Sequence, residues 1–133
     1  MLPPLPKLNK KSEADFGLRF RHWWDKHGMN APYELKDSRG KPSIPFSEIT
    51  DEQIHFALAA KSRKGILIRV EKGTVGSPDY VGFRNSPAWV VIRFPKAFYV
   101  CDIENLLAEK QRSSRKSLLA SRAAAIATVS VRI

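Results

Sequence analysis

The chain has 133 residues, 43% of them hydrophobic, which is enough for one ordinary globular domain and too few for two. Its formal net charge of +10 attracts polyanions such as nucleic acid or an anionic membrane surface. The sequence contains no run of about 18 apolar residues that could span a bilayer. Nucleic acid is therefore favoured over a membrane surface as the partner. The single cysteine, Cys101, excludes an intrachain disulfide, fits a reducing cytoplasm and, within an apolar run, is expected in the core.

Residues 1–12 are basic and rich in proline, and they lack the apolar stretch of a secretory signal. We predict that they form a flexible basic arm ahead of one domain over residues 13–133. A helix is predicted over residues 13–27, because Ser12 can cap its start and Gly28 follows its end. At helical spacing Glu13 falls on the apolar stripe of this helix, so it is either a capping acid or a group aimed at a site.

A strand predicted over residues 31–36 carries the triplet Glu34-Leu35-Lys36. Successive side chains of an extended segment point to opposite faces, so Glu34 and Lys36 are expected to emerge on the same side. A carboxylate then stands beside an ammonium group. Such a triplet usually marks a solvated strand face, and an exposed ion pair without chemistry therefore stays an alternative.

A polar, basic loop over residues 37–45 follows, and Thr50 and Gln53 then form a capping box. The box opens a helix predicted to end near Lys64. Gln53 can serve the cap alone or act at a site, and both roles are compatible. The elements expected further along the chain are strands over residues 66–70, 79–84, 89–94 and 97–101, a helix over residues 102–109, a basic linker over residues 110–116, a helix capped by Ser117 and a strand over residues 128–133.

Within this series the strands over residues 79–84 and 89–94 are predicted to pair as a hairpin across residues 85–87. Asp102 and Glu104 are predicted to be capping acids rather than metal ligands. The order of helices and strands predicts a small α/β domain with a mixed sheet.

Basic residues cluster in three segments, which we expect to contact phosphates of DNA with little sequence selectivity. A charge run is often only a solvated surface, and that reading stays open for each. The segments are Lys7, Lys10 and Lys11; Arg39 and Lys41; and Lys110, Arg112, Arg115 and Lys116.

Several stretches resemble the RecU and Hjc type Holliday junction resolvases of the PD-(D/E)xK nuclease superfamily. They are Tyr33-Glu34-Leu35-Lys36-Asp37, Ile44-Pro45-Phe46, Asp51-Glu52-Gln53-Ile54 and, in the tail, Tyr99, Asp102-Ile103, Leu106-Leu107 and Arg115-Lys116-Ser117-Leu118. The resemblance implies a restriction-endonuclease-like mixed sheet flanked by helices. It also implies a homodimeric, Mg²⁺-dependent enzyme, with Mn²⁺ substituting, that cuts four-way DNA junctions in a bacterial or phage-infected cytoplasm, with no membrane partner.

Carried over by resemblance, Glu34 and Lys36 match the ExK pair, and Gln53 matches a glutamine near the start of the following helix. Glu13 matches an acid of the first helix. The family's metal-binding aspartate precedes the ExK strand, where this chain has too few residues for another strand, and Asp79 is the candidate replacement.

In this interpretation Asp79, Glu34 and Glu13 hold Mg²⁺, because hard oxygen ligands suit that ion. Lys36 orients the attacking water or offsets charge in the transition state, and Gln53 positions water or phosphate by hydrogen bonding. One alternative is a related nuclease that acts on flaps or DNA ends. Another is a basic DNA-binding module without catalysis, which does not need these side chains to converge.

Overall fold

The computed structural model describes residues 20–22, 24, 31–70 and 79–132, without the side chains of residues 69–70 and 79–81. The strands are β1 (Tyr33–Asp37), β2 (Ser43–Pro45), β3 (Ile66–Val70), β4 (Asp79–Phe83), β5 (Trp89–Phe94), β6 (Ala97–Asp102), β7 (Ser117–Leu119) and β8 (Val129–Arg132). The helices are α1 (Asp51–Lys61), α2 (Ile103–Arg112) and α3 (Ala120–Ile126), with a 3₁₀ turn at Phe46–Glu48.

The main sheet has the strand order β1-β5-β6-β8. β1 runs parallel to β5, whereas β5 pairs antiparallel with β6 and β6 pairs antiparallel with β8. Two small antiparallel sheets accompany it, one formed by β2 and β7 and the other by β3 and β4. The predicted α/β architecture with a mixed sheet is therefore confirmed.

Each face of the main sheet buries its own apolar cluster. On one face Val90, Ile92 and Phe94 of β5 pack with residues from all three labelled helices, such as Ala57, Leu106 and Ala123. On the other face Val91, Phe98 and Val100 pack with Phe20 and Trp24. Tyr33 and Leu35 join this second cluster, so the intervening residues of β1 face the helices.

Aromatic rings anchor the beginning of the described chain on the second face. Residues 20–22 and 24 are helical, in agreement with the helix predicted over residues 13–27. The Phe20 ring meets the rings of Tyr33 and Phe98 edge-on, with centroid distances of 5.1 and 5.3 Å. The predicted arm and the predicted functional residues of this segment lie outside the described residues; these are Lys7, Lys10, Lys11 and Glu13.

The hairpin predicted between residues 79–84 and 89–94 is wrong. β4 pairs with β3, with Phe83 opposite Ile66, and β5 instead lies between β1 and β6. β5 is apolar on both faces, as suits a central strand covered on both sides. The intervening chain does not form a tight turn, because the amides of Asn85 and Ser86 bond to carbonyls of Ser62 and Ala60 at the end of α1.

Two helix boundaries also differ from the prediction. α1 ends at Lys61 rather than near Lys64, because Ser62 closes the last turn and its hydroxyl accepts the amide of Gly65, whose φ is +77°. Ser117 does not cap a helix. It opens β7, whose pairing with β2 delays the helix until Ala120. The predicted basic linker is divided, since Lys110 and Arg112 form the last turn of α2.

Cys101 is fully buried in β6, as predicted for a core residue. Desolvation raises the pKa of its thiol to about 12. We expect a thiol reagent at about pH 8 to leave the native protein unlabelled and to label one thiol per chain in denaturant, because the thiolate is the reactive form. Rapid labelling of the native protein would contradict this burial.

Every helix within the described residues is too short or too polar to cross a bilayer.

Candidate functional site

Glu34 and Lys36 lie side by side on the helix-covered face of β1. The register places them opposite Val90 and Ile92, which belong to the first apolar cluster. Lys36 Nζ is 3.6 Å from Glu34 Oε1, and the side chains are 15% and 40% exposed, respectively. The prediction that both emerge on one side is confirmed. The lysine is more enclosed than a solvated strand face would leave it, so solvent screens its charge less.

Gln53 connects α1 to this ion pair. Its Nε2 donates a hydrogen bond to Glu34 Oε1 at 2.8 Å, although the two residues are 19 positions apart. Its Oε1 accepts the backbone amide of Thr50 at 3.0 Å, and its own amide donates to the Thr50 hydroxyl at 3.2 Å. Gln53 therefore completes the capping box and contacts the Glu34 carboxylate with the same side-chain amide. Because the cap occupies the amide oxygen, the NH₂ group is directed at the carboxylate.

A cleft of about 540 Å³ opens beside Glu34. Glu34, Glu52 and Gln53 supply its acidic and amide groups, and the remaining wall is mostly apolar, with rings such as Phe83 and Trp89. Its lining comes from β1, the first turns of α1, β3, β4, the start of β5 and the first residue of α2. A concave apolar wall with a few convergent polar groups is the usual form of a binding site.

The predicted metal ligands are described only in part. Glu34 borders the cleft, whereas Glu13 lies outside the described residues. Asp79 begins β4 opposite Val70, and its side chain is also outside the description. Among the side chains that are described, no group of three or more His, Cys, Asp or Glu could hold a metal ion. Glu34 offers one hard oxygen donor group, and Mg²⁺ is commonly held by one or two carboxylates together with water and substrate oxygens. The roles of Asp79 and Glu13 stay predictions.

No family model, curated protein or solved structure matches this chain. The chemistry of the cleft therefore has to be argued from the side chains that line it. A carboxylate held by an ammonium group and an amide is a fixed acceptor, suited to binding a cation or a polarised water.

The small β2–β7 sheet brings two of the predicted basic segments to one part of the surface. The amide of Phe46 bonds to the carbonyl of Lys116, and the amide of Ala120 bonds to the carbonyl of Pro42, next to Lys41. The segments around this sheet carry exposed basic side chains: Arg39 and Lys41 precede β2, Arg115 and Lys116 precede β7, and Lys110 and Arg112 lie in the last turn of α2. This surface begins directly after β1, three positions beyond Lys36.

Asp102 and Glu104 lie at the start of α2, as expected for capping acids. Asp102 Oδ1 accepts the amide of Glu104 at 2.8 Å. Lys61 joins them, with Nζ 2.8 Å from Asp102 Oδ2 and 3.4 Å from Glu104 Oε2. Burial lowers the pKa of Lys61, but the hydrogen bond and charge of Asp102, followed by those of Glu104, outweigh it and raise this pKa overall. The cluster ties α1 to α2.

Sequence reasoning missed a second charged cluster, centred on Glu109. This residue is 6% exposed, and its carboxylate accepts hydrogen bonds from Arg122 Nε at 2.8 Å, Arg122 Nη2 at 2.9 Å and Arg112 Nη2 at 2.8 Å. A signal was present, because Glu109 is the only acid in residues 105–133 and Arg112 follows it at i+3. No sequence pattern linked Arg122, which lies 13 positions from Glu109, to this cluster.

The Glu109 cluster predicts a pH dependence of stability. Hydrogen bonds from Arg122, and then the hydrogen bond and charge of Arg112, lower the pKa of Glu109 from 4.5 to about 2 against the opposing effect of burial. A carboxyl group whose pKa is lower in the folded state than in the unfolded state stabilises the folded protein at pH values above its unfolded pKa. This stabilisation disappears as the pH falls towards the pKa in the folded state.

We therefore expect Glu109→Gln to unfold more easily than wild type at neutral pH in chemical denaturation. The difference should shrink as the pH falls from about 4.5 to about 2, the interval between the two pKa values. The exposed Glu48, changed to Gln, is the control and should show little difference at any pH. A pH-independent difference for Glu109→Gln would contradict the ionised state assigned to it.

Proposed function

We propose that this protein is a Mg²⁺-dependent endodeoxyribonuclease with a restriction-endonuclease-like fold that resolves four-way DNA junctions as a homodimer. One observation carries the proposal, the hydrogen bond from Gln53 to Glu34 beside Lys36. The resemblance to RecU and Hjc type resolvases had matched these three residues to an ExK pair and a helix glutamine. Two of them come from β1 and one from α1, so chain proximity alone does not bring them together.

The path of the chain also supports the proposal. β1 leads through the loop that contains Arg39 and Lys41 into α1, with Gln53 in its first turn. That is the order of strand, basic loop and helix with which the resemblance began. The exposed basic surface around β2 and β7 gives a polyanion a place to bind next to the carboxyl end of β1.

The chemistry assigned to the site divides among its side chains. Lys36 orients the attacking water or offsets the negative charge that develops on the phosphoryl oxygens. Gln53 holds the Glu34 carboxylate in one position through the amide that its own capping box fixes. Glu34, with Asp79 and Glu13, would hold Mg²⁺, which when bound supplies Lewis acidity and lowers the pKa of a bound water.

A cleavage assay on three labelled DNA substrates tests the proposal. A four-way junction, a flap and a linear duplex are each incubated with the protein in Mg²⁺, in Mn²⁺ and in EDTA. Symmetric paired nicks in the junction alone, lost in EDTA, are the expected result. Cutting confined to flaps or ends would replace the resolvase by another nuclease of the superfamily. Salt-sensitive binding without cleavage of any substrate would leave a non-catalytic DNA-binding module.

The homodimer follows from the reaction, because two symmetric cuts require two identical active sites related by a two-fold axis. Light scattering of the protein bound to an uncleaved junction in EDTA should give two chains per junction. One chain per junction, together with paired nicks in Mg²⁺, would contradict this assembly.

A further inference from the structure

The corner at which α2, β7 and α3 meet holds a buried carboxylate between two partly exposed guanidinium groups. Glu109 comes from the last turns of α2, and Arg122 comes from α3. Arg112 and Arg122 both donate through Nη2 to the same oxygen, Oε2 of Glu109. The two guanidinium groups therefore lie next to each other, in positions fixed by one carboxylate.

This arrangement leaves hydrogen-bonding capacity facing solvent. Within the part of the chain that the structure describes, the side-chain hydrogen bonds of Arg112 and Arg122 all go to Glu109. Arg112 uses one N–H donor and Arg122 uses two, and each guanidinium has about five, so most of the donors of both groups remain for another acceptor. Two positive charges against one negative charge also leave the cluster cationic.

The chain segment that contains the cluster adds positive charge. Residues 105–133 contain six basic residues, and Glu109 is the only acid among them. Arg115 and Lys116 are exposed in the loop that follows α2. The carbonyl of Pro42 accepts the amide of Ala120 at 2.9 Å, which brings the Lys41 loop to the start of the helix that carries Arg122.

We infer that Arg112 and Arg122 together bind a phosphate of the DNA backbone and that Glu109 is the residue that positions them. A guanidinium matches phosphate oxygens with paired hydrogen bonds, and two held side by side can take one phosphate between them. Because the buried carboxylate already orders both side chains, binding costs less side-chain entropy than at freely rotating arginines. This inference rests on the proposed function for the identity of the ligand as DNA.

A purely structural role makes a different prediction for Glu109. If the cluster only ties α2 to α3 and the surface attracts DNA by charge alone, Glu109→Gln raises the net charge by one and should tighten DNA binding. If Glu109 positions the arginines, the same change should weaken binding despite the added positive charge. Glu48→Gln adds the same charge at an exposed position outside the cluster, and it is the matched control.

Fluorescence anisotropy with a labelled four-way junction in EDTA measures binding without cleavage, at salt concentrations between about 0.05 and 0.3 M. Arg122→Gln and Arg112→Gln should each weaken binding and make the slope of log K against log salt less steep, by at most about 1, because the two arginines share one phosphate. The exposed Arg63, changed to Gln, should leave the slope unchanged. Glu109→Gln should bind more weakly than Glu48→Gln.

The outcomes separate the two proposals. Absence of salt-dependent binding by the wild-type protein would overturn the proposed function and this inference with it. Wild-type binding that both arginine variants retain, with the slope seen for Arg63→Gln, would overturn the inference alone, as would tighter binding by Glu109→Gln. If circular dichroism shows that Glu109→Gln is unfolded, the Arg122→Lys variant tests the inference instead, because lysine keeps the positive charge but lacks the paired N–H donors of a guanidinium group. Weaker binding with an unchanged slope supports the inference, and wild-type affinity overturns it.

Discussion

Replacing Lys36 by glutamine should lower the rate of junction cleavage by roughly 10²–10³-fold, the usual effect of removing one group that stabilises transition-state charge. Glutamine keeps a donor near Glu34 but removes the positive charge. Because the Lys36 side chain is only 15% exposed, DNA binding in EDTA should change little. Single-turnover cleavage in Mg²⁺ and anisotropy in EDTA measure the two quantities separately.

The exposed Lys64 provides the matched control, because Lys64→Gln makes the same chemical change at a residue that does not contact Glu34 or Gln53. Its cleavage rate should stay close to that of wild type. Glu34→Gln should lose cleavage to at least the extent of the lysine variant, since it removes the carboxylate assigned to Mg²⁺. Wild-type cleavage by Lys36→Gln would leave Glu34 and Lys36 as a structural ion pair and remove the catalytic assignment.

Replacing Phe98 by alanine should lower the free energy of unfolding by about 3–5 kcal/mol, as large-to-small changes of buried aromatic residues do. Phe98 is fully buried, and its ring centroid is 5.3 Å from that of Phe20. The change removes the ring contact between β6 and Phe20 on the second face of the main sheet and leaves a cavity within the second apolar cluster.

Denaturant unfolding followed by circular dichroism measures this loss. Leu67→Ala is the control for removing an apolar side chain, because Leu67 is 67% exposed and should cost no more than about 0.5 kcal/mol. A loss below about 1 kcal/mol for Phe98→Ala would mean that this side of the sheet is not packed as described.

The parts of the fold that follow from local chemistry could be predicted from the sequence. Thr50 and Gln53 predict the start of α1, because a capping box needs only a hydroxyl and a side-chain amide three residues apart. The alternation of β1 likewise placed Glu34 and Lys36 on one face. Both features are determined by neighbours within a few residues, so no knowledge of distant contacts was needed.

Pairings between distant segments could not be predicted in the same way. β4 pairs with β3 rather than with β5. The sequence does not predict this partner, because every apolar strand offers the same backbone donors and acceptors. What decides the pairing is that β5, apolar on both faces, is buried most fully between β1 and β6. The short β2 and β7 strands gave even less signal, and Ser117 therefore resembled a helix cap although it belongs to a sheet.

The candidate site shows the same division. The pleat of a strand predicts that Glu34 adjoins Lys36, but nothing in the sequence alone predicts that Gln53 reaches Glu34. The resemblance to known resolvases assigned Gln53 and Glu34 to one site, but it did not predict the hydrogen bond between them. The clustering of Arg122 with Glu109 across 13 positions had neither source, because it depends on how α3 packs after β7.

The β2–β7 ladder has a consequence for the order of folding. It joins Ser43 to Leu119, so a nascent chain cannot close it until nearly all of the described residues have left the ribosome. Contacts between residues so far apart in the sequence require a loss of loop-closure entropy before packing can compensate for that loss. Such contacts therefore form late and slowly. β2 lies between β1 and α1, so the segment that leads Gln53 towards Glu34 is anchored only at that late stage. The cleft should therefore be among the last parts of the protein to reach its native geometry.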